Sequence, residues 1–362
     1  MNLVPTAREI ALRQRARSFF AKAGDAGSWQ AFCREGLLDA SITSAATPPL
    51  RDSADLAILL EELGRSLSRL PLASNVAAVI TLARFGAPAA SHLFNALAGG
   101  EASICIAVHG CDDAWIGNHV GLVGYHEAGT WRLRGDACWV EGFESSTYCL
   151  VAFAASGDEA QLALGVVRTD APHIRCTTAT SADGEPLCFL EFDDVELPDS
   201  HVLVSGPKAT EALRHVKAMM AACHAAQMVG AADFVTETAL DHCNQRQAFG
   251  APLAALPVVR QQCAEMRIAI DAAWLLTAEA FWRLARDEPF AVQASQAKAF
   301  ANERCLMVCR IGQQLHGASA FMQGHPVHSR YRHVASLSVR SGTAAEHRAF
   351  VASALLDCWR MS

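Results

Sequence analysis

No run of about 18 apolar residues occurs in this 362-residue chain, so no segment is expected to span a membrane. Positive charge is not in excess either: 30 Lys and Arg face 37 Asp and Glu, for a net charge of −7. That removes the electrostatic reason to expect nucleic acid or an anionic membrane surface as partner. It leaves room for a local basic pocket that holds a phosphate-bearing cofactor. The 13 cysteines are an odd number, scattered from Cys33 to Cys358, with no CxxC pair. Most, such as Cys149, Cys223 and Cys263, lie in apolar stretches where a thiol behaves as a small hydrophobe. A reducing, cytoplasmic setting is therefore expected rather than a disulfide framework. The opening MNLVPTAREIALRQRARSFF carries arginines and no uninterrupted apolar core, so it does not read as a signal peptide. No repeat at a fixed period stands out.

Hydrophobic residues make up 51% of the chain and charged residues 19%, the balance of a well-buried globular protein. The length exceeds what one hydrophobic core usually serves, so two or three units are expected. Ile10, Leu12, Ala16, Phe19 and Phe20 recur at helical spacing, as do Leu56, Leu59, Leu60, Leu63 and Leu67. Asp52 and Ser53 are candidate N-caps for the second helix, and Pro71 follows its end. Beyond residue 100 the pattern changes. Val120, Leu122 and Tyr125 lead to a Glu127-Ala128-Gly129 turn, after which Trp131 and Leu133 alternate with Arg132 and Arg134, a hairpin signature. Strand-like runs follow at Tyr148 to Phe153, Leu162 to Val167 and Cys188 to Phe192, closed by Pro198-Asp199-Ser200. From about residue 207, long helical patterns return, broken near Gly250-Pro252, Pro257, Asp287-Pro289, Gly317 and Pro326. The expected architecture is α+β and multidomain: an N-terminal α-helical domain over 1-100, a middle antiparallel β barrel or sandwich over 101-206, and a C-terminal four-helix bundle over 207-362.

Several local phrases fall in a telling order. They are Glu62-Leu63-Gly64-Arg65, Val195-Glu196-Leu197-Pro198, and Gln245-Arg246-Gln247-Ala248-Phe249-Gly250-Ala251-Pro252-Leu253. Gln314-Leu315-His316-Gly317-Ala318 and Ser341-Gly342-Thr343 follow. Together they resemble the acyl-CoA dehydrogenase family across nearly the whole chain. The resemblance implies that family's three-part fold, FAD bound between subunits, and a dimer-of-dimers tetramer. It further implies α,β-dehydrogenation of an acyl-CoA thioester in fatty acid or sterol catabolism, with electron-transfer flavoprotein as acceptor.

By the same resemblance, Arg246 serves a neighbouring subunit's cofactor. A guanidinium is always charged and presents a planar fork suited to a pyrophosphate; alone it would read as a solvated helix-end arginine. Phe249 belongs to the same phrase. Gln314 and Gly317 match a second cofactor contact, or simply a helix C-cap. Thr343 either turns its hydroxyl to the dinucleotide or caps a helix, with Glu346 completing a capping box. Trp139 matches a tryptophan beside the isoalloxazine ring; the alternative is a barrel-core filler.

The family abstracts the α-proton with a glutamate, placed either just before the final Gly-Thr or on the helix leading to Gly230. Here the first position is Ser341 and the second falls near Met220 and Ala221, so no catalytic base is expected in this chain. Loss of a positioned base costs roughly 10²- to 10⁴-fold in rate. The family's flavin-lining phrases are also replaced, by Ala107-Val108-His109, by Asp112-Asp113 and by Glu141, and Leu256-Pro257 replaces a Phe-Gln. These losses resemble those of the base-less partner subunits of heteromeric members in bacterial sterol side-chain degradation. Three alternatives remain. One is an active homo-oligomer whose base is Glu141 or Glu346, and another is a flavin monooxygenase of the same fold. The third is a metal site from Cys305, Cys309, His325, His328 and His333, against which core packing of the thiols and a solvated histidine loop weigh.

Overall fold

The computed structural model describes residues 5–23, 29–37, 53–86 and 91–360. Asp52, one of the two expected caps, lies outside them, and Ser53 opens its helix. Among the described residues five helices come first: α1 (Ala7–Ala23), α2 (Trp29–Arg34), α3 (Ser53–Ser66), α4 (Leu72–Phe85) and α5 (Ser91–Ala98). The apolar stripe of α3 is buried at Leu56, Leu59, Leu60 and Leu63, as its spacing requires. Helix α1 lies on it through Leu12, Ala16 and Phe20. Arg13 and Arg17 of α1 also bind the buried Glu61 and Glu62 of α3.

Eight strands form one sheet: β1 (Ile104–Ala107), β2 (Leu122–Glu127), β3 (Thr130–Glu141), β4 (Tyr148–Ala155), β5 (Asp158–Arg168), β6 (Ile174–Thr180), β7 (Pro186–Pro198) and β8 (Val202–Ser205). The β2–β3 hairpin turns at Ala128 and Gly129, both at positive φ, as a two-residue primed turn demands. The fold class stands as expected, with one refinement: β1 and β2 both run parallel to β4. They occupy successive stretches of the same β4 edge, 148–151 and 153–155. The loop 108–121 interrupts what would otherwise be one long strand, and that interruption delivers residues to the cavity described below.

The C-terminal part is built on α6 (Pro207–Gln245), 39 residues long, with Pro207 at its start and Arg246 at its C-cap. Its alanines are buried all round, which lets α3, α4 and the other bundle helices approach it closely. A two-residue hairpin, β9 (Gln247–Ala248) with β10 (Ala251–Pro252), leads to α7 (Pro257–Ala285), α8 (Ala291–His316), α9 (Pro326–Leu337) and α10 (Ala344–Arg360). The four longer helices α6, α7, α8 and α10 are those of the expected bundle, and the 12-residue α9 is an addition to them. The stretch after Pro326 is two helices, because Ser341 and Gly342 both take positive φ and stop α9 from running into α10. No helix among the described residues is long and apolar enough to cross a membrane.

Candidate active site

A cavity of about 490 Å³ opens where the sheet, α6 and the α9–α10 junction meet. Loop 108–121 supplies His109, Asp113 and Trp115 to its wall, and α6 supplies Met220. Strand β3 supplies Trp139 and Glu141, the β6–β7 turn Ser181 and Ala182, and the junction Arg340, Ser341, Gly342 and Glu346. Trp139 stands at φ 58° with half its surface exposed (53%), edge-on to Phe189 at 5.0 Å. It therefore faces the cavity and does not fill the barrel core.

The junction is held rigidly. His347 donates from Nε2 to the Ser341 carbonyl (2.8 Å), and its Nδ1 meets Ser295 Oγ (3.1 Å). Lys298 of α8, fully buried (0% exposed), donates to Leu337 O (2.8 Å), Gly342 O (3.3 Å) and Asn302 Oδ1 (2.6 Å). Burial pushes its ammonium down to about 7, despite the pull of Glu346 and Glu141. A side chain at Gly342 would meet the His347 ring at 2.7 Å. Beside the junction, Arg340 binds Glu185 (3.2 Å), Asp183 (3.1 Å), Ser181 and Ser336, and reaches Glu141 at 3.5 Å. His333 adds Nδ1 to Asp183 (3.0 Å). The β6–β7 turn is thus stitched to the bundle by buried charge.

Ser341, at the expected base position, directs its hydroxyl to Nδ1 of His224 on α6 (2.9 Å). Nε2 of the same ring faces Glu141 at 3.4 Å. Burial raises the Glu141 carboxyl, but the interaction with the His224 ring and then the Arg340 charge outweigh it and hold the group at about 2. Glu346 caps α10: its carboxylate accepts from the Thr343 backbone N–H and hydroxyl (both 2.8 Å) and from Trp115 N–H (2.9 Å). Burial works against its charged form, yet these bonds to Thr343 and Trp115 hold its pKa down. Thr343 returns Oγ1 to Glu346 N–H (3.3 Å), so the capping box is formed and its hydroxyl is engaged. His224 and Lys298 escape a reading of the sequence alone, because each is a single polar residue within an apolar helical run. The spacing of His224, one turn beyond Met220, was the available signal.

Arg246, Phe249, Gln314 and Gly317 lie elsewhere. From His224 to Arg246 is 22 residues of α6, about 33 Å along the helix. Arg246 and Gln314 are exposed, and Phe249 projects almost wholly bare (94%) at φ 54° from the β9–β10 turn. Gly317 takes φ 66° with open space where a side chain would stand. The ends of α6 and α8 meet through His242 stacked on His316 at 4.4 Å, with His325 a further 5.2 Å away. Four of the six cofactor candidates thus form one exposed surface remote from the cavity, while Trp139 lines the cavity and Thr343 lies at its α10 end. The five residues of the metal alternative do not converge: Cys305 and Cys309 sit in the bundle core and His333 turns to Asp183. The eleven described cysteines from Cys105 to Cys309 are free thiols.

Residues 212–356 match the model of the acyl-CoA dehydrogenase C-terminal domain. Over 322 residues the chain is 28% identical to 3-sulfinopropanoyl-CoA desulfinase of Paraburkholderia xenovorans (strain LB400), covering 83% of this chain and 80% of that one. The human mitochondrial short-chain specific acyl-CoA dehydrogenase is 26% identical over 241 residues, 65% of this chain and 58% of its own length. Among solved structures, the Tcur3481-Tcur3483 steroid ACAD superposes with a TM-score of 0.85 at 22% identity, over 98% of this chain and 99% of that one. Residues 212–356 thus carry an acyl-CoA dehydrogenase C-terminal domain, and the chain as a whole has the acyl-CoA dehydrogenase fold. That family is one of FAD-dependent oxidoreductases acting on acyl-CoA thioesters.

The two halves of a family cofactor site fit FAD unequally in this chain. The exposed surface fits: a free guanidinium for phosphate, a bare phenyl ring and an uncrowded glycine at positive φ. The cavity does not. Its wall carries Asp113, Glu141 and Glu346, its one arginine is already bound to carboxylates, and an ionised Glu141 stands two residues from Trp139. A flavin ring gaining negative charge on reduction would be repelled there.

Proposed function

We propose that this chain is the base-less subunit of a heteromeric, FAD-dependent acyl-CoA dehydrogenase. In this reading it lends Arg246, Phe249, Gln314 and Gly317 to a flavin held mainly by a related subunit. One observation carries the proposal: the carboxylates that line the cavity are each engaged by other groups, Asp113 by the Gly110 backbone N–H (3.1 Å). Ser341 stands at the usual position, Glu141 is held at about 2, and Glu346 is consumed as a helix cap. A base so weak, or so committed, forfeits most of its catalytic power. Phe249, Phe321 and Met322 are exposed apolar groups in the segments that carry Arg246 and Gly317, and a neighbouring subunit would cover them.

The steroid ACAD that shares this fold bears two chain names, which suits a two-chain assembly. A dimer-of-dimers tetramer in the cytoplasm, sterol-derived substrates and electron-transfer flavoprotein as acceptor complete the reading. The division into 1-100, 101-206 and 207-362 goes with it; Trp139 and Thr343 would mark this chain's own eroded half-site. The desulfinase relative does not extend to this cavity in the same way. A sulfinate would need an unpaired cation, and Arg340 is already shared among Asp183, Glu185 and Glu141. Neutral acyl groups are therefore expected over acidic ones.

The test is exchange and oxidation by the chain alone. Incubated in deuterated water with an acyl-CoA, it should leave the α-protons unexchanged and reduce no dye. Turnover by the chain alone that disappears in Glu141→Gln or Glu346→Gln would establish a displaced base and defeat the proposal.

A further inference from the structure

We propose that Ser341, His224 and Glu141 form a nucleophile, base and orienting carboxylate, and that they cleave the thioester bond of an acyl-CoA held in the cavity. This rests on the acyl-thioester part of the reading above and is independent of its flavin and heteromer parts.

The hydrogen-bond chemistry fixes the roles. An ionised carboxylate only accepts, so the His224 nitrogen facing Glu141 must carry a proton. In the neutral ring, Nδ1 is then the acceptor, and the Ser341 hydroxyl 2.9 Å away is its donor. A hydroxyl hydrogen-bonded to an imidazole whose other nitrogen is oriented by a carboxylate is the arrangement that turns serine into a nucleophile. His224 is sealed behind the wall (1% exposed), whereas Ser341 lines the cavity. Of the two, Ser341, 7% exposed, is the residue that borders a bound molecule. A hydroxyl is a poor acceptor for a carbon-bound proton and a competent nucleophile toward a thioester carbonyl.

The backbone supports a presented serine. Ser341 stands at φ 52°, a conformation that costs a non-glycine residue energy and persists only when its surroundings hold it. His347 binds its carbonyl, and Lys298 and Asn302 bind the next one.

In the first step a bond forms between Ser341 Oγ and the acyl carbon, and the carbon–sulfur bond breaks. The hydroxyl proton passes to His224 Nδ1 and then to the departing CoA sulfur. In the second step, water attacks the serine ester, gives a proton to His224, and releases the carboxylic acid as Ser341 regains its proton. Glu141 stays ionised throughout, and no electrons change hands.

The experiment uses the full chain, with any subunit that copurifies, and neutral acyl-CoAs of several lengths. Released CoA is followed by chromatography, because the chain's 13 cysteines would consume a thiol dye. A fluorophosphonate probe is mapped by peptide mass spectrometry. The account expects CoA release above the uncatalysed blank and probe on Ser341. Ser341→Ala and His224→Gln should each lower release at least about 100-fold, and Glu141→Gln at least about 10-fold. Ser341→Cys should trap acyl-enzyme visible in the intact mass, a readout that does not depend on turnover. No release and no labelling, in protein whose thermal unfolding remains cooperative, would overturn the proposal. Release undiminished in Ser341→Ala would overturn it equally. Loss of flavin or of dye reduction leaves these readouts untouched, so failure of the dehydrogenase reading is separately visible.

Discussion

Arg340 shows how much one buried side chain can carry at this site. Its guanidinium is the shared counter-charge of Asp183, Glu185 and Glu141. Its removal would leave three carboxylates facing one another with His224 and His333 as their remaining partners. Removing one member of a buried charge network costs about 3–5 kcal/mol, so Arg340→Gln should lower unfolding free energy by that order in denaturant titration. Unchanged stability would mean that the β6–β7 turn is held by other contacts. At this scale the sequence is legible only where a residue keeps a family phrase, as Arg246 does, or departs from one, as Ser341 and Glu141 do. His224 meets Glu141, and Arg340 meets Asp183, over separations of 83 and 157 residues, which local spacing does not reveal.

At the scale of elements, two glycines set the distance between α3 and α6. A Cβ on Gly64 would fall 2.0 Å from the Gln227 carbonyl oxygen, and one on Gly230 would fall 1.8 Å from that of Glu61. The helices cross backbone on backbone, so Gly64→Ala or Gly230→Ala should destabilise by about 1–3 kcal/mol or more, read as a lower denaturant midpoint. A second joint, between α4 and α6, is polar: His215 meets Thr81 (3.1 Å) between the rings of Phe85 and Phe290. Burial, then the Arg84 charge, pushes this histidine down to about 3. As pH falls through about 6.5 the unfolded chain takes this proton first, while the folded chain refuses it until about 3. Stability should therefore fall across that window, with Glu141 and His347 adding to the loss, and His215→Gln should shallow the slope of unfolding free energy against pH.

The helices and the β2–β3 hairpin are legible because their periodicity or turn chemistry is strong. Strand β6 is not: its residues are mostly exposed and rich in threonine, with no apolar face to alternate. Strands β1 and β8, of four residues each, are too short for a period to register. The α9–α10 break rests on positive φ at Ser341, a conformation a serine does not advertise.

At the scale of the molecule, the account separates two surfaces that a homo-oligomeric family member would use together. One is the exposed helix-end surface with Arg246; the other is the acid-lined cavity with Ser341. Arg246→Ala should leave this chain's own unfolding transition within about 0.5 kcal/mol of the parent, as an exposed substitution does. The same variant should strip flavin from the assembly, read from the flavin absorbance of the purified complex. Arg246→Lys should recover little of it, because an ammonium cannot grip a diphosphate with a planar fork.

The most direct measurement is the flavin content of this chain purified alone and after co-expression with a related subunit that retains its glutamate. The account predicts essentially no flavin on the chain alone, and one flavin for each pair of unlike protomers in the complex. One flavin per protomer on the chain alone, reducible by an acyl-CoA, would contradict it.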